Sequence, residues 1–304
     1  MPAHLFRAGE KVAMSTFLFE FAQLLTVSFV AGVAGSLLGL GGGIIIVPVL
    51  TLFFHVDFRT AAGASIIAVI ATSSGSAAAY VRDRLANIRV GMFLEILTSL
   101  GAISGALLVG RLAGPILYVV FALVLIYSLV PSGGKIVSEL RGRISSRAAE
   151  GTIAGGRFAA ALGLDGSYFD PARGHLIGYR LRRVPLGAAI MYVAGLASGL
   201  LGIGSGAFKV LAMDSVMGMP IKSSTATSNF MIGVTAAASA GIYFSRGDID
   251  PFVAAPVALG VLAGSLFGAR ILPKIAGVGI RIAFFVVIAA IAGQMLLRGL
   301  GVGR

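Results

Sequence analysis

The chain has 304 residues, of which 57% are hydrophobic and 12% charged, with 43 glycines and no cysteine. Ordinary soluble domains carry about 25% charged residues, so a disordered chain is excluded and a soluble enzyme fits poorly; without cysteine, disulfides and thiolate metal sites are absent. The net charge of +12 marks cytoplasmic loops in so apolar a chain rather than a nucleic-acid footprint, and three scattered histidines (His4, His55, His175) form no helix-spaced metal or catalytic pair.

Arg7 and Lys11 precede an apolar run from Phe17 to Leu40 that contains Glu20. It outruns the roughly 7–15 residues of a signal peptide's apolar region, and is read as the first membrane element. A spanning helix needs about 20 mostly apolar residues. Candidates lie at 16–38 running into 44–54, at 60–81, 90–109 and 113–130, and again at 186–203 running into 206–217, at 223–244, 251–269 and 280–297. Between the two sets, 131–184 is the one long polar stretch, with nine basic and four acidic residues. Its 164–181 portion holds an Asp-Gly turn signal, Pro171 and Gly174 among tyrosines and apolar residues, which predicts a small β-hairpin on the cytoplasmic surface. The expected organisation is a first transmembrane repeat at 12–130, a basic cytoplasmic loop at 131–184 and a second repeat at 185–299.

The two apolar halves align at a constant offset of 163. Residues 32–43 (GVAGSLLGLGGG) and 195–206 (GLASGLLGIGSG) share seven of twelve positions, and the same offset pairs Arg59 with Lys222, Ser65 with Ser228, Tyr80 with Tyr243, Gly101 with Gly264, Gly105 with Gly268 and Arg111 with Lys274. If each glycine-broken element crosses the membrane once, the repeats are parallel; if it turns back as a re-entrant hairpin, they are inverted. With 131–184 cytoplasmic, a hairpin puts Lys222, Arg270, Lys274 and Arg281 inside and leaves Arg246, Arg298 and Arg304 outside, which the excess of positive charge on cytoplasmic loops favours. The expected fold is an all-α polytopic membrane protein of two inverted repeats, each a glycine-broken re-entrant helical hairpin plus three transmembrane helices, with both termini on the outer face.

Glycine costs about 1 kcal/mol against alanine inside a helix, so Gly39–Gly43 and Gly202–Gly206 predict breaks. Broken elements at matching positions of two halves point to a transporter's binding site, and non-helical backbone at that depth must be buried or line a cavity. Gly101/Gly105 and Gly264/Gly268 suit close helix packing instead. Lys209, three residues beyond the second break, is costly at bilayer depth and a functional candidate. Its first-half equivalent is Ile46, so the fold does not demand the charge. It is expected to meet an anion, with pairing to Asp214 or snorkelling as the rival reading. The hydroxyl- and amide-rich segment Ser223–Asn229 offers further hydrogen bonds to an anion or between helices. The candidate substrate-binding set is Gly41, Gly42, Gly43, Ser65, Gly204, Ser205, Gly206, Lys209, Thr227, Ser228 and Asn229. Glu20 and Glu95 are read as interfacial, leaving no obvious proton relay. Ser205 and Lys209 are spaced for a Ser–Lys hydrolase dyad, a remote alternative, so no catalytic residue is assigned.

GVAGSLLGLGGGIIIVP (32–48), GLASGLLGIGSGAFKV (195–210) and ATSNFMIGVTAAAS (226–239) together resemble the TauE/SafE family of membrane permeases. The resemblance covers nearly the whole chain and implies secondary transport of small sulfur-containing anions, such as sulfite or organosulfonates. Ser205 departs from the family's usual run of three glycines in the second motif and leaves the particular anion open. The expected function is therefore a secondary transporter, in the exporting direction, working by alternating access in the cell (inner) membrane; a passive anion channel is the main alternative. The expected partners are a small anion and the lipid bilayer, with a coupling proton and a homo-oligomer compatible with the sequence. Neither a cofactor, a metal ion nor nucleic acid is expected.

Overall fold

A lipid core satisfies no backbone hydrogen bond, so apolar runs of this length fold as helices that bond internally. The computed structural model describes residues 3–39, 41–112, 115–123, 125–126, 129, 156–170, 174–272 and 277–300. The elements in chain order are α1 Ala3–Leu38, α2 Gly43–Leu52, α3 Phe58–Arg82, α4 Ile88–Val109, α5 Arg157–Ala161, β1 Gly166–Asp170, β2 His175–Tyr179, α6 Val184–Leu201, α7 Gly206–Leu211, a π-helical turn at Ala212–Val216, α8 Ile221–Ser245, α9 Pro251–Ile271 and α10 Gly277–Gly299. Further helical backbone occurs at 115–123. The basic residues expected at 135–147 lie outside the described residues.

Among the described residues, Leu18–Leu38, α3, α4, α6 and α9 are long and apolar enough to cross a membrane. Their outer faces are apolar too: Met92, Ile96, Leu100, Ile103 and Leu107 form an exposed stripe along α4 at the three- and four-residue spacing of one helix face. The chain is a multi-pass membrane protein.

The sequence offset reappears as geometry. At 163 residues' separation, α3 and α8 have identical bounds, and α4 and α9 begin together. Tyr80 Oη donates to the Ser36 carbonyl and Tyr243 Oη to the Gly199 carbonyl, each at 3.0 Å; these too are equivalent positions. Each half lends its first helix to the other. Gly101 and Gly105 of α4 lie on the α6 backbone at Tyr192 and Leu196, while Gly264 and Gly268 of α9 lie on α1 at Phe29 and Val33. These glycines let helix backbones touch, as expected.

Helices α3 and α8 pass each other head to tail. Gly63, early in α3, touches Asp248 beyond the end of α8; Ser73 donates to the Asn229 carbonyl at 2.6 Å; Leu85, just past α3, accepts from Ser223 near the start of α8 at 2.9 Å.

The expected β-hairpin is present, β1 and β2 pairing antiparallel from Gly166↔Tyr179 to Asp170↔His175. The chain does not reverse at Asp165-Gly166. Asp165 instead accepts from the Leu181 N–H at 2.9 Å at the open end of the hairpin, and the closed end is the Asp170↔His175 pair, beside which Gly174 has φ 70°. The hairpin is anchored in the helical body. Asp170 pairs with Lys222 at 2.7 Å, both buried, and Tyr179 Oη accepts from Asn87 Nδ2 at 3.1 Å and meets Ser223 Oγ at 3.2 Å. Burial pushes the Tyr179 phenol above its ordinary range, with the Ser223 and Asn87 hydrogen bonds opposing.

Candidate functional site

Glycine ends both helices that lead into the site. Helix α1 stops at Leu38, Gly39, Gly41 and Gly42 take φ 73°, 74° and 71°, and α2 restarts at Gly43. Helix α6 stops at Leu201, Gly202, Gly204 and Ser205 take φ 70°, 73° and 54°, and α7 restarts at Gly206. The two corners match position by position, with Ser205 standing where the first half has Gly42. A side chain in the left-handed region costs about 1–2 kcal/mol, which Gly42 avoids and Ser205 bears.

The corners meet. A Cβ at Gly43 would run into Ile203 and Ser65, one at Gly41 into Ile232, and one at Gly204 into Val69. Ser65 Oγ donates to the Gly202 carbonyl at 2.7 Å, and its equivalent Ser228 donates to Gly39 at 2.8 Å and Gly206 at 3.3 Å. Each serine thus clasps the opposite corner. Thr227 Oγ1 accepts from the Asn87 N–H at 2.9 Å. Three hydroxyls expected to face an anion are therefore engaged by protein.

What stays unengaged is more informative. Ser205 Oγ, Thr225 Oγ1 and Asn229 Oδ1 are buried without a protein hydrogen-bond partner, whereas buried polar atoms are ordinarily paired. The remaining orphans among the described residues, on Arg246 and Arg298, sit at the ends of α8 and α10. Asn229 is oriented by its own donors, Nδ2 bonding the Ser36 carbonyl at 2.8 Å and the Thr225 carbonyl at 3.1 Å. Thr225 lies against Gly39, Asn229 bonds the Ser36 carbonyl near the end of α1, and Ser205 stands in the second corner, so the three orphans are distributed over the two corners. Their first-half equivalents are Gly42, Ala62 and Ile66, and the polarity is one-sided.

Lys209 is fully buried one turn beyond Ser205. Its ammonium donates to Glu95 Oε2 at 3.1 Å and to Thr235 Oγ1, and Thr235 Oγ1 in turn donates to Glu95 Oε1. Ser99 Oγ also donates to Glu95 Oε1, at 3.0 Å. Glu95, read from the sequence as interfacial, is instead buried two turns inside α4, because its salt-bridge partner is supplied 114 residues away. Glu95, Thr225 and Thr235 are missing from the sequence-derived set. Thr225 was signalled by the polar run around it, and Thr235 and Glu95 by nothing local. The Ser205–Lys209 dyad is not formed: Lys209 turns to Glu95, and Ser205 Oγ bonds neither it nor any other described group.

The model of the family described as "Sulfite exporter TauE/SafE" matches residues 24–295. The chain belongs to the TauE/SafE family. It is also similar to two Bacillus subtilis (strain 168) proteins. Probable membrane transporter protein YunE is 27% identical over 288 residues, covering 92% of this chain and 99% of the relative. Probable membrane transporter protein YdhB is 26% identical over 275 residues, covering 90% and 99%. No solved structure matches the chain significantly. In this TauE/SafE chain both family glycine motifs are the corners, and ATSNF supplies Ser228 and Asn229 at their junction.

Proposed function

We propose that this membrane transporter carries small sulfur-containing oxyanions or organosulfonates outward as a secondary transporter, by alternating access of two inverted halves about the glycine corners. The observation that carries the reading is that three buried polar atoms on the two corners and on the helix packed against them, Ser205 Oγ, Thr225 Oγ1 and Asn229 Oδ1, have no protein partner. Two hydroxyl donors and one amide acceptor suit an oxyanion that retains an O–H, as hydrogensulfite does. Lys209 lies one turn away, its ammonium paired with Glu95. The sulfur chemistry and the outward direction follow the family's description.

The inverted topology is supported by the head-to-tail run of α3 beside its equivalent α8. It is supported again by the Asp170–Lys222 pair, which ties the start of α8 to the hairpin of the loop assigned to the cytoplasm. A single crossing by the broken element would put Lys222 on the opposite face.

The test is a binding and thermal-shift screen of purified protein against sulfite, thiosulfate, sulfate, sulfoacetate and taurine, followed by flux in proteoliposomes. One or more of these anions is expected to raise the melting temperature, and its flux to saturate and show counterflow. Ser205→Ala and Asn229→Ala are each expected to weaken its binding about 10- to 100-fold, as for the loss of one hydrogen bond to a charged group, about 1.5–3 kcal/mol. Flux that stays linear with concentration would make the protein a channel. An anion bound equally well by both variants would move the site away from the corners.

A further inference from the structure

The Glu95–Lys209 pair joins α4 of the first half to α7 of the second and has no counterpart at the equivalent positions of α9 and α2. There Lys209 is replaced by Ile46, Glu95 by Ala258 and Ser99 by Leu262, while Thr235 is matched by Thr72. Thr72 Oγ1 donates to the Ala68 carbonyl one turn back, as Thr235 Oγ1 does to Met231. The same packing thus stands once with an apolar lining and once around a buried ion pair. Burying two charges carries a desolvation cost that an apolar lining avoids, so the pair is not there to hold the fold. Ionisable groups inside spans mark ion or proton pathways.

The hydrogen bonding accommodates both charge states of the acid. Ionised Glu95 accepts from Lys209, Thr235 and Ser99. With a proton on Oε1, Glu95 donates to Thr235 Oγ1, and the threonine hydroxyl turns wholly to the Met231 carbonyl, already 3.2 Å away. No buried donor or acceptor is stranded by the exchange. Lys209 then loses its counter-charge one turn from the unpartnered Ser205 hydroxyl.

We propose that Glu95, with Thr235 as its reversible hydrogen-bond partner, is the proton-binding site that couples anion transport to a proton gradient. A proton taken from water on one face neutralises the Glu95 carboxylate and frees the Lys209 ammonium for the substrate anion. Its departure on the other face restores the ion pair and expels the anion. Proton and anion therefore move together, since each raises the other's affinity, so an anion leaving down its own gradient takes a proton out with it. This rests on the anion-transport reading of the corners. The other ionisable groups on the elements around Lys209 are Asp214 in the π turn, Tyr192 of α6, which donates to Ser104 Oγ at 3.4 Å, and Lys222 and Tyr243 of α8. Lys222 is paired with Asp170, and Tyr243 is bonded to the Gly199 carbonyl. Arg89 of α4 reaches the Gly163 carbonyl at 3.4 Å.

The test separates the proton from the anion. Infrared difference spectra of the purified wild type, taken between acidic and neutral buffer, are expected to show a protonated-carboxyl band. The band should be absent in Glu95→Gln. If no band appears, or if it survives in Glu95→Gln, the proton site is overturned whatever the substrate proves to be. In parallel, sulfoacetate and thiosulfate binding is measured in both buffers. Acidification is expected to tighten wild-type binding about ten-fold, equivalent to about 1.4 kcal/mol of coupling, and to leave Glu95→Gln binding independent of pH. The pair Glu95→Ala with Lys209→Ile, which copies the equivalent positions Ala258 and Ile46, should fold and lack the band. Equal pH dependence in wild type and Glu95→Gln would overturn the coupling. A band that titrates in a protein that binds neither probe would support the proton site and count against the anion reading instead.

Discussion

Ser205 concentrates the argument at the scale of the residue. It sits in the left-handed region at φ 54°, its hydroxyl is buried without a partner, and its equivalent in the first half is glycine. A serine that is both strained and unsatisfied opposes stability, so its presence at the corner points to a ligand. Ser205→Gly is expected to stabilise the protein by about 1 kcal/mol through relief of backbone strain, read as a higher melting temperature without substrate, while weakening anion binding. If both measurements move in the same direction, Ser205 is structural. Lys209 was legible as a functional candidate because a lysine in an apolar run is conspicuous by itself. Glu95 was not: its burial depends on which helix faces it, and Lys209 and Thr235 reach it only after the halves have packed. Ser65 and Ser228 were read as ligands from position alone, whereas in the structure their hydroxyls hold the corners together.

The elements show how glycine serves two separate purposes. Glycine clusters at 39–43, interrupted by Leu40, and at 202–206, interrupted by Ile203 and Ser205, break helices. Glycines four apart at 101/105 and 264/268 let helices touch. The α4–α6 contact is tight on both sides, since Gly195 and Gly199 of α6 lie on the Thr98 and Ala102 carbonyls. Any Cβ at Gly195 would overlap the Thr98 carbonyl, a backbone atom that can move only with its helix. Gly195→Leu is therefore expected to destabilise the protein by at least the ~1–3 kcal/mol of ordinary overpacking, seen as a lower melting temperature in detergent. Gly241→Leu, where nothing lies within contact of an added Cβ, should have little effect. An equal loss at both positions would mean that helix propensity, not the interhelical contact, sets the cost. The β-hairpin was legible from its turn residues, though they did not single out where the chain reverses. Asp165-Gly166 has turn chemistry and yet lies at the hairpin's open end, where Asp165 accepts a cross-strand N–H.

For the whole molecule, the antiparallel passage of α3 and α8 bears on membrane topology. Inverted repeats place the hairpin and the start of α8 on one face and the end of α8 on the other. The chain has no cysteine, so single-cysteine variants are clean reporters. Leu176→Cys in β2 and Ser245→Cys at the end of α8, both exposed positions, are expected to react with an impermeant maleimide from opposite faces, Leu176→Cys from the cytoplasm. Reaction from the same face would restore the parallel arrangement. The sequence alone determined the membrane class, the repeat offset, the break positions and the family, because each depends on hydrophobic run length or on residues close together in the chain. Tertiary structure decided which polar groups are satisfied and which are left over. Thr72 and Thr235 hold the same register in equivalent helices, yet only one meets a charge pair, because a hydrogen-bond partner is chosen by packing between segments more than 100 residues apart.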